Sequence, residues 1–135
     1  MRISSKRTIY LVDACNLSYC VFSGFLGKPA EYEKEAVSWL SGIAELSKDE
    51  FFLYFDGPFR NLGVDKANMR KFFCEGEKAD YRILEYAVYC KRENRRIAAV
   101  TDDRELSLKL SKEKVKVMGC GEFYCIMDKL NKTSK

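Results

Sequence analysis

Thr8-Ile-Tyr-Leu-Val-Asp13, a nearly unbroken apolar run that stops on a carboxylate, is the stretch from which the fold is read. A strand without polar alternation is buried on both faces, as strands of a parallel sheet covered by helices are. Two further runs share the pattern, Phe51-Phe-Leu-Tyr-Phe-Asp56 and Ile97-Ala-Ala-Val-Thr-Asp102-Asp103. Parallel α/β sheets carry their chemistry at the C-terminal ends of the strands. Three such strands therefore bring their terminal acids to one edge. Asp80, in Glu77-Lys-Ala-Asp80, opens a helix between the second and third runs and adds a fourth acid. Carboxylates gathered in one place repel unless they are protonated or paired with a cation. The pattern points to a divalent-metal site.

Outward from these runs, the order reads strand, helix, strand, a loop and a strand, then helix, strand, helix, strand, helix. A loop with Gly24, Gly27 and Pro29 leads to a helix over roughly 31–46, where Ala36, Val37, Leu40, Ile43 and Ala44 recur at helical spacing. Asp56-Gly57-Pro58 ends the second strand. A polar loop follows, then a short strand at Met69–Cys74 and a helix over roughly 79–93 with Ala79, Ile83, Ala87 and Cys90 on one face. The third run leads into a short helix, a last strand at Val115–Met118 and a terminal helix ending near Leu130, with a frayed tail at Asn131–Lys135. Strands alternating with amphipathic helices predict a single domain over residues 1–135, core about 7–130, with three α/β/α layers and a mainly parallel central sheet.

Histidine is absent. That removes Ser-His-Asp triads, Cys-His pairs and histidine zinc ligands, and leaves carboxylates with a metal as the simplest catalytic machinery. The chain is nonetheless net positive, at +4, so surplus lysine and arginine lies away from the acids, where it can meet a polyanion. On charge alone, an ordinary solvated surface is the better reading. The six cysteines lack CxxC spacing and read as reduced thiols packed like small apolar side chains, with Cys15 placed to make the site oxidation-sensitive. No apolar run approaches the ~20 residues of a membrane span. The apolar stretch behind Arg7 stops at Asp13, too early for a signal peptide, so a cytoplasmic protein without a membrane partner is expected.

Each acid also has a bland explanation. Asp13 can cap the next helix through Asn16 and Asp56 can shape a turn. Asp80 can meet a helix dipole. Asp102 with Glu105 fits a capping box that leaves Asp103 at the first helical position. Taken together they favour a site, because independent caps need not fall at one edge of one sheet.

At this point the chain resembles a known group. Leu11-Val-Asp13-Ala-Cys-Asn16 is similar to the VDGxN opening of NYN domains, the PIN-like nuclease group, and especially their YacP-like branch. Phe55-Asp56-Gly57 resembles the FDG strand end, Glu77-Lys-Ala-Asp80-Tyr-Arg-Ile83 the ETADxxI helix start, and Val100-Thr-Asp102-Asp103-Arg-Glu-Leu106 the VTSDREL element. The blocks come in the group's order. Ala14, Cys15, Lys78 and Asp102 depart from its pattern without deleting a carboxylate.

The resemblance implies a PIN-like (NYN) fold and a metal-dependent ribonuclease. Asp13, Asp56, Asp80 and Asp103 would be its catalytic acids, and Mg²⁺ or Mn²⁺ its cofactor. Asp13 and Asp103 are expected as core metal ligands, with Asp80 and Asp102 adding charge to the metal site and Asn16 orienting a ligand or phosphate. Arg60, Lys66, Arg70, Lys71 and Lys78, interleaved with Phe59, Phe72 and Phe73, suit single-stranded RNA, because cations hold phosphates and aromatic rings stack on unpaired bases. The expected partner is therefore single-stranded RNA, free or within a ribonucleoprotein, cut endonucleolytically by a monomer or weak homodimer. The chief alternative is a non-catalytic RNA-binding module on the same fold. A receiver-type signalling domain would want an acid pair after the first strand, where Asp13 is followed by Ala14 and Cys15. A Rossmann dinucleotide site would want a GxGxxG there, and none follows.

Overall fold

β1 (Ile9–Asp13) lies at the centre of a five-stranded sheet of order β3-β2-β1-β4-β5, in which every pairing is parallel. The structure, a computed structural model, describes residues 7–24 and 27–133, the side chain of 133 excepted. After β1 come α1 (Ala14–Phe22), α2 (Pro29–Ala44), β2 (Glu50–Asp56), β3 (Met69–Cys74) and α3 (Ala79–Arg92). β4 (Ile97–Val100), α4 (Arg104–Lys112), β5 (Lys116–Met118) and α5 (Cys120–Thr133) follow among the described residues. The strands step outward from β1 to β3 on one side and from β4 to β5 on the other. The order thus reverses between β1 and β4, and the crevice at such a switch point is where open α/β sheets bind ligands.

Alternation along the strands sorts the core into two layers. Val12, Phe51, Leu53 and Phe55 pack with Leu17, Leu40, Ile43 and Phe123, so α1, α2 and α5 cover one face. Ile9, Leu11, Tyr54 and Ala99 pack with Ala79, Ile83, Leu106 and Leu110, so α3 and α4 cover the other. The α/β/α layering expected from the sequence is present, and the sheet is parallel throughout.

Three expectations need correcting. The chain forms α1 directly after β1, where a loop was expected. Its sequence is a modest helix former, but Asp13 caps it and Ala14, Leu17 and Phe22 seat it in the core. α2 begins at Pro29, where proline's fixed φ suits a first helical position. At the other end, α5 runs on through Thr133, past the expected start of the fray at Asn131, and residues 134–135 lie outside the described range. Among the described residues, no helix is long and apolar enough to cross a membrane.

β2 and β3 are parallel neighbours without a helix between them; the loop over 57–68 makes the crossover. Gly57 (φ +91°) turns the chain out of β2 at a backbone angle that L side chains rarely adopt. Leu62 is buried in the α1/α2/α5 layer. Asn68 closes the loop by donating from its amide nitrogen to the carbonyls of Ala44, Ser47 and Asp49 at 2.9–3.1 Å.

Candidate active site

At the C-terminal edge of the sheet lies an open hollow of about 590 Å³. Asp13, Asp56, Asp80 and Asp103 all line it, each delivered by a different element or junction: the end of β1, the end of β2, the first turn of α3 and the start of α4. Asn16, Glu77 and Lys78 face the same space, and Tyr19 forms part of its wall.

The bland explanations of these acids also hold. Asp13 caps α1, its Oδ1 accepting from the Asn16 amide at 3.4 Å. Asp103, not Asp102, caps α4, accepting from Leu106 at 2.8 Å. Asp56 reaches from β2 to accept from the Ala79 amide at 2.8 Å and so caps α3, whose own N-cap residue, Lys78, offers no side-chain bond. Asp80 accepts from the Tyr81 amide at 3.1 Å. In Asp56, Asp80 and Asp103 these bonds use Oδ1, and among the described residues Oδ2 has no hydrogen-bond partner. Capping orients the carboxylates and leaves an oxygen of each for other use.

Thr101, buried at the end of β4, joins two of the acids. Its hydroxyl donates to Asp13 Oδ2 at 3.0 Å and accepts the Asp103 amide at 3.1 Å. Sequence reasoning gave Thr101 no role, although it sits inside the Val100-Thr-Asp102-Asp103 block.

Asp13 is 9% exposed. Burial lifts its carboxyl to about 6; the bonds from Thr101 and Asn16 pull it down, and the charges of Asp56 and Asp80 push it up. Those two charges register at Asp13 because the carboxylates share the hollow. Among the described residues, no three acidic or cysteine side chains converge into a ready-made cage for an ion. Apart from the Cys15 thiol, the acidic groups facing the hollow are carboxylates, whose oxygens suit a hard cation that retains part of its water shell.

Asp102 is turned away from the hollow. Its Oδ1 accepts from the Cys120 amide at 3.0 Å and so caps α5, while its own amide donates to Asn16 Oδ1 at 2.7 Å. Gly119 permits this approach, since a Cβ there would stand 3.2 Å from Asp102 Oδ1.

The expected substrate cations divide. Lys78 lines the hollow and has no ion pair among the described residues. Arg60 is committed to Glu33, a 7% exposed residue of α2, through Nε–Oε1 at 3.0 Å and Nη2–Oε2 at 2.9 Å. Its Nη1 also donates to the carbonyls of Asp56 and Pro58, both at 2.8 Å, and its guanidinium lies over the rings of Phe55 and Phe73. Arg60 thus latches the crossover loop beneath the site. Glu33 escaped sequence reasoning because nothing local marks it. Lys66 pairs with Glu45, and its backbone bonds to Met69 at the start of β3 place it at the opposite edge of the sheet. Lys71 pairs with Asp65 and Arg70 is exposed on β3; neither lines the hollow.

The cysteines also differ from expectation. Cys74, Cys90 and Cys120 are buried, but Cys20 and Cys125 are exposed, and all six are free. Burial, with the neighbouring Glu33 charge, pushes the Cys15 thiol up to about 11, against a backbone contact from Asp56 that lowers it. A thiol pushed up in this way carries less of the thiolate that oxidation attacks, while Cys15 lines the open hollow.

No protein-family model matches the chain, and no curated protein matches it by sequence. Solved structures do. Rae1 (YacP) from Bacillus subtilis superposes with a TM-score of 0.75 at 13% identity, covering 96% of this chain and 77% of that one. A tryptophan-to-leucine mutant of the same protein gives 0.75 at 14% identity, over 94% and 78%. At such identity the likeness speaks for the fold, and it agrees with the motif blocks read from the sequence: this chain has the YacP-like NYN fold.

Proposed function

We propose that the protein is a ribonuclease that hydrolyses phosphodiester bonds of single-stranded RNA, endonucleolytically and with Mg²⁺ or Mn²⁺ as cofactor. The observation that carries this reading is the meeting of four aspartates, from four places in the chain and with Glu77 beside them, around one hollow at the β1/β4 switch point. The donor chemistry fits the cation: oxygen ligands, no histidine, and a buried Asp13 carboxyl that its acidic neighbours push up. Asp13 and Asp103 are the core ligands, Asp56 and Asp80 complete the surroundings, and Asp102 is left to cap α5. When bound, the cation supplies a polarised water as nucleophile and charge for the phosphate.

The chain's own residues do the rest. Thr101 fixes the rotamer of Asp13 and the start of α4 together. Asn16, anchored through its Oδ1, presents its NH₂ group as a donor with no partner among the described residues. Lys78, also lining the hollow, holds a phosphate as a point charge. Single-stranded RNA fits a hollow open enough for a backbone to pass and walled by the exposed ring of Tyr19.

The test is cleavage of an end-labelled single-stranded RNA with Mg²⁺ or Mn²⁺ against EDTA, for wild type and Asp103→Asn in parallel. Asparagine caps a helix as well as aspartate does, so the variant keeps α4 while losing a charged ligand. Metal-dependent internal cuts, lost in the variant, are expected. An inert wild type that still binds the RNA would favour a non-catalytic binding module, with the acids serving as caps alone.

A further inference from the structure

Beside the carboxylate hollow, between α3 and α4, lies a second depression of about 330 Å³. Glu77, Lys78 and Asp80 line both, so the two are neighbours across one wall. Both mix charged and apolar surface, but the second has two leucines beside its tyrosine. Tyr81, Leu84 and Leu106 give the second depression an aromatic and apolar lining, and the Glu105–Lys109 ion pair, 3.3 Å apart on α4, adds one acceptor and one donor. Tyr81 is 62% exposed, and its ring touches no other aromatic among the described residues. By contrast, the β3 rings that the sequence pattern put forward for stacking are committed. Phe72 stacks on Tyr54 at 5.1 Å and Phe73 on Phe55 at 5.3 Å.

We propose that the α3–α4 depression takes one unpaired nucleobase of the RNA whose adjoining phosphate lies in the carboxylate hollow, with Tyr81 as its stacking platform. The proposal rests on the nuclease reading and specifies its substrate. A base has both a face to desolvate and an edge to satisfy: Tyr81 and Leu84 meet the face, and the Glu105–Lys109 pair meets the edge. Lys78, on the shared wall, stands where the backbone must pass from one depression to the other. A base stacked and paired within a duplex offers neither face nor edge, so the site selects single strands. Stacking on an aromatic ring tolerates any base, and its loss weakens binding by about tenfold.

The experiment uses a short single-stranded RNA carrying fluorescent 2-aminopurine at one position at a time. Each RNA is titrated with the Asp103→Asn protein in Mg²⁺ so that the strand is not cut. One position is expected to lose fluorescence on binding. Tyr81→Ala in that background is expected to abolish the loss there and weaken binding about tenfold, and Tyr81→Phe to restore both. Quenching and affinity unchanged in Tyr81→Ala would overturn the proposal. If wild type cuts the RNA while Tyr81 proves silent, this inference falls alone. If wild type neither binds nor cuts, the nuclease reading falls with it.

Discussion

Asp13 does two jobs with one carboxylate: it caps α1, and it stands buried in the hollow facing other acids. The second job strains the fold. With its folded pKa near 6, above the ordinary 3.8, the native protein binds more protons than the unfolded chain between about pH 4 and 6. Stability therefore falls as pH rises through that window and stays lower above it, by about 2 kcal/mol once partial solvation is allowed for. Asp13→Asn keeps the cap and removes the buried charge. In EDTA it should be no less stable than wild type at pH 5 and visibly more stable at pH 8, with cleavage abolished. Urea denaturation at the two pH values checks this, and a pH-independent difference would contradict it. That Asp13, Asp56, Asp80 and Asp103 would share one edge was legible in sequence because each ends or follows a buried-looking strand or opens a helix. The division of labour between Asp102 and Asp103 was not. It depends on where α5 starts in space, and local spacing favoured Asp102 as the α4 cap.

At the scale of elements, the helix-free crossover from β2 to β3 depends on one half-buried ion pair. Glu33 on α2 holds Arg60 of the loop, and Arg60 in turn holds the carbonyls that end β2 beside Asp56. Removing Arg60 leaves the buried Glu33 charge without compensation, at about 2 kcal/mol once the partial exposure of Arg60 is allowed for. Arg60→Met should therefore destabilise strongly, and adding Glu33→Leu should recover part of the loss. Additive losses in denaturant melts would show that the pair is not coupled. β3 was readable as a short strand after the polar loop, and α3 from its periodic face. α1 was not, because its residues are indifferent helix formers and the burial of Leu17 and Phe22 decides the matter. The Glu33–Arg60 latch was invisible because its halves are separated by 27 positions and neither belongs to a motif.

Across the whole molecule, the sheet sorts the cations by edge. Lys78 lies at the C-terminal edge with the carboxylates, and Lys66 lies near the start of β3 at the other. The cations from Arg60 to Lys78, interleaved with Phe59, Phe72 and Phe73, looked like one basic surface in sequence, but Lys66, Arg70 and Lys71 lie off the hollow, and Phe72 and Phe73 stack on Tyr54 and Phe55. Lys78→Ala should accordingly lower kcat/KM for single-stranded RNA by about tenfold and flatten its salt dependence. Lys66→Ala should change it less than about twofold, a charge that distant being largely screened. Equal effects in a salt series would place the substrate on β3 instead. Whether the carboxylate hollow is a metal-dependent hydrolytic centre is decided by a single Mn²⁺ titration. Heat of binding and initial cleavage rate would be recorded at the same concentrations for wild type, Asp13→Asn and Asp103→Asn. Binding and rate should saturate together in wild type and be lost together in both variants. Cleavage that proceeds without bound metal, or metal binding untouched by either substitution, would contradict it.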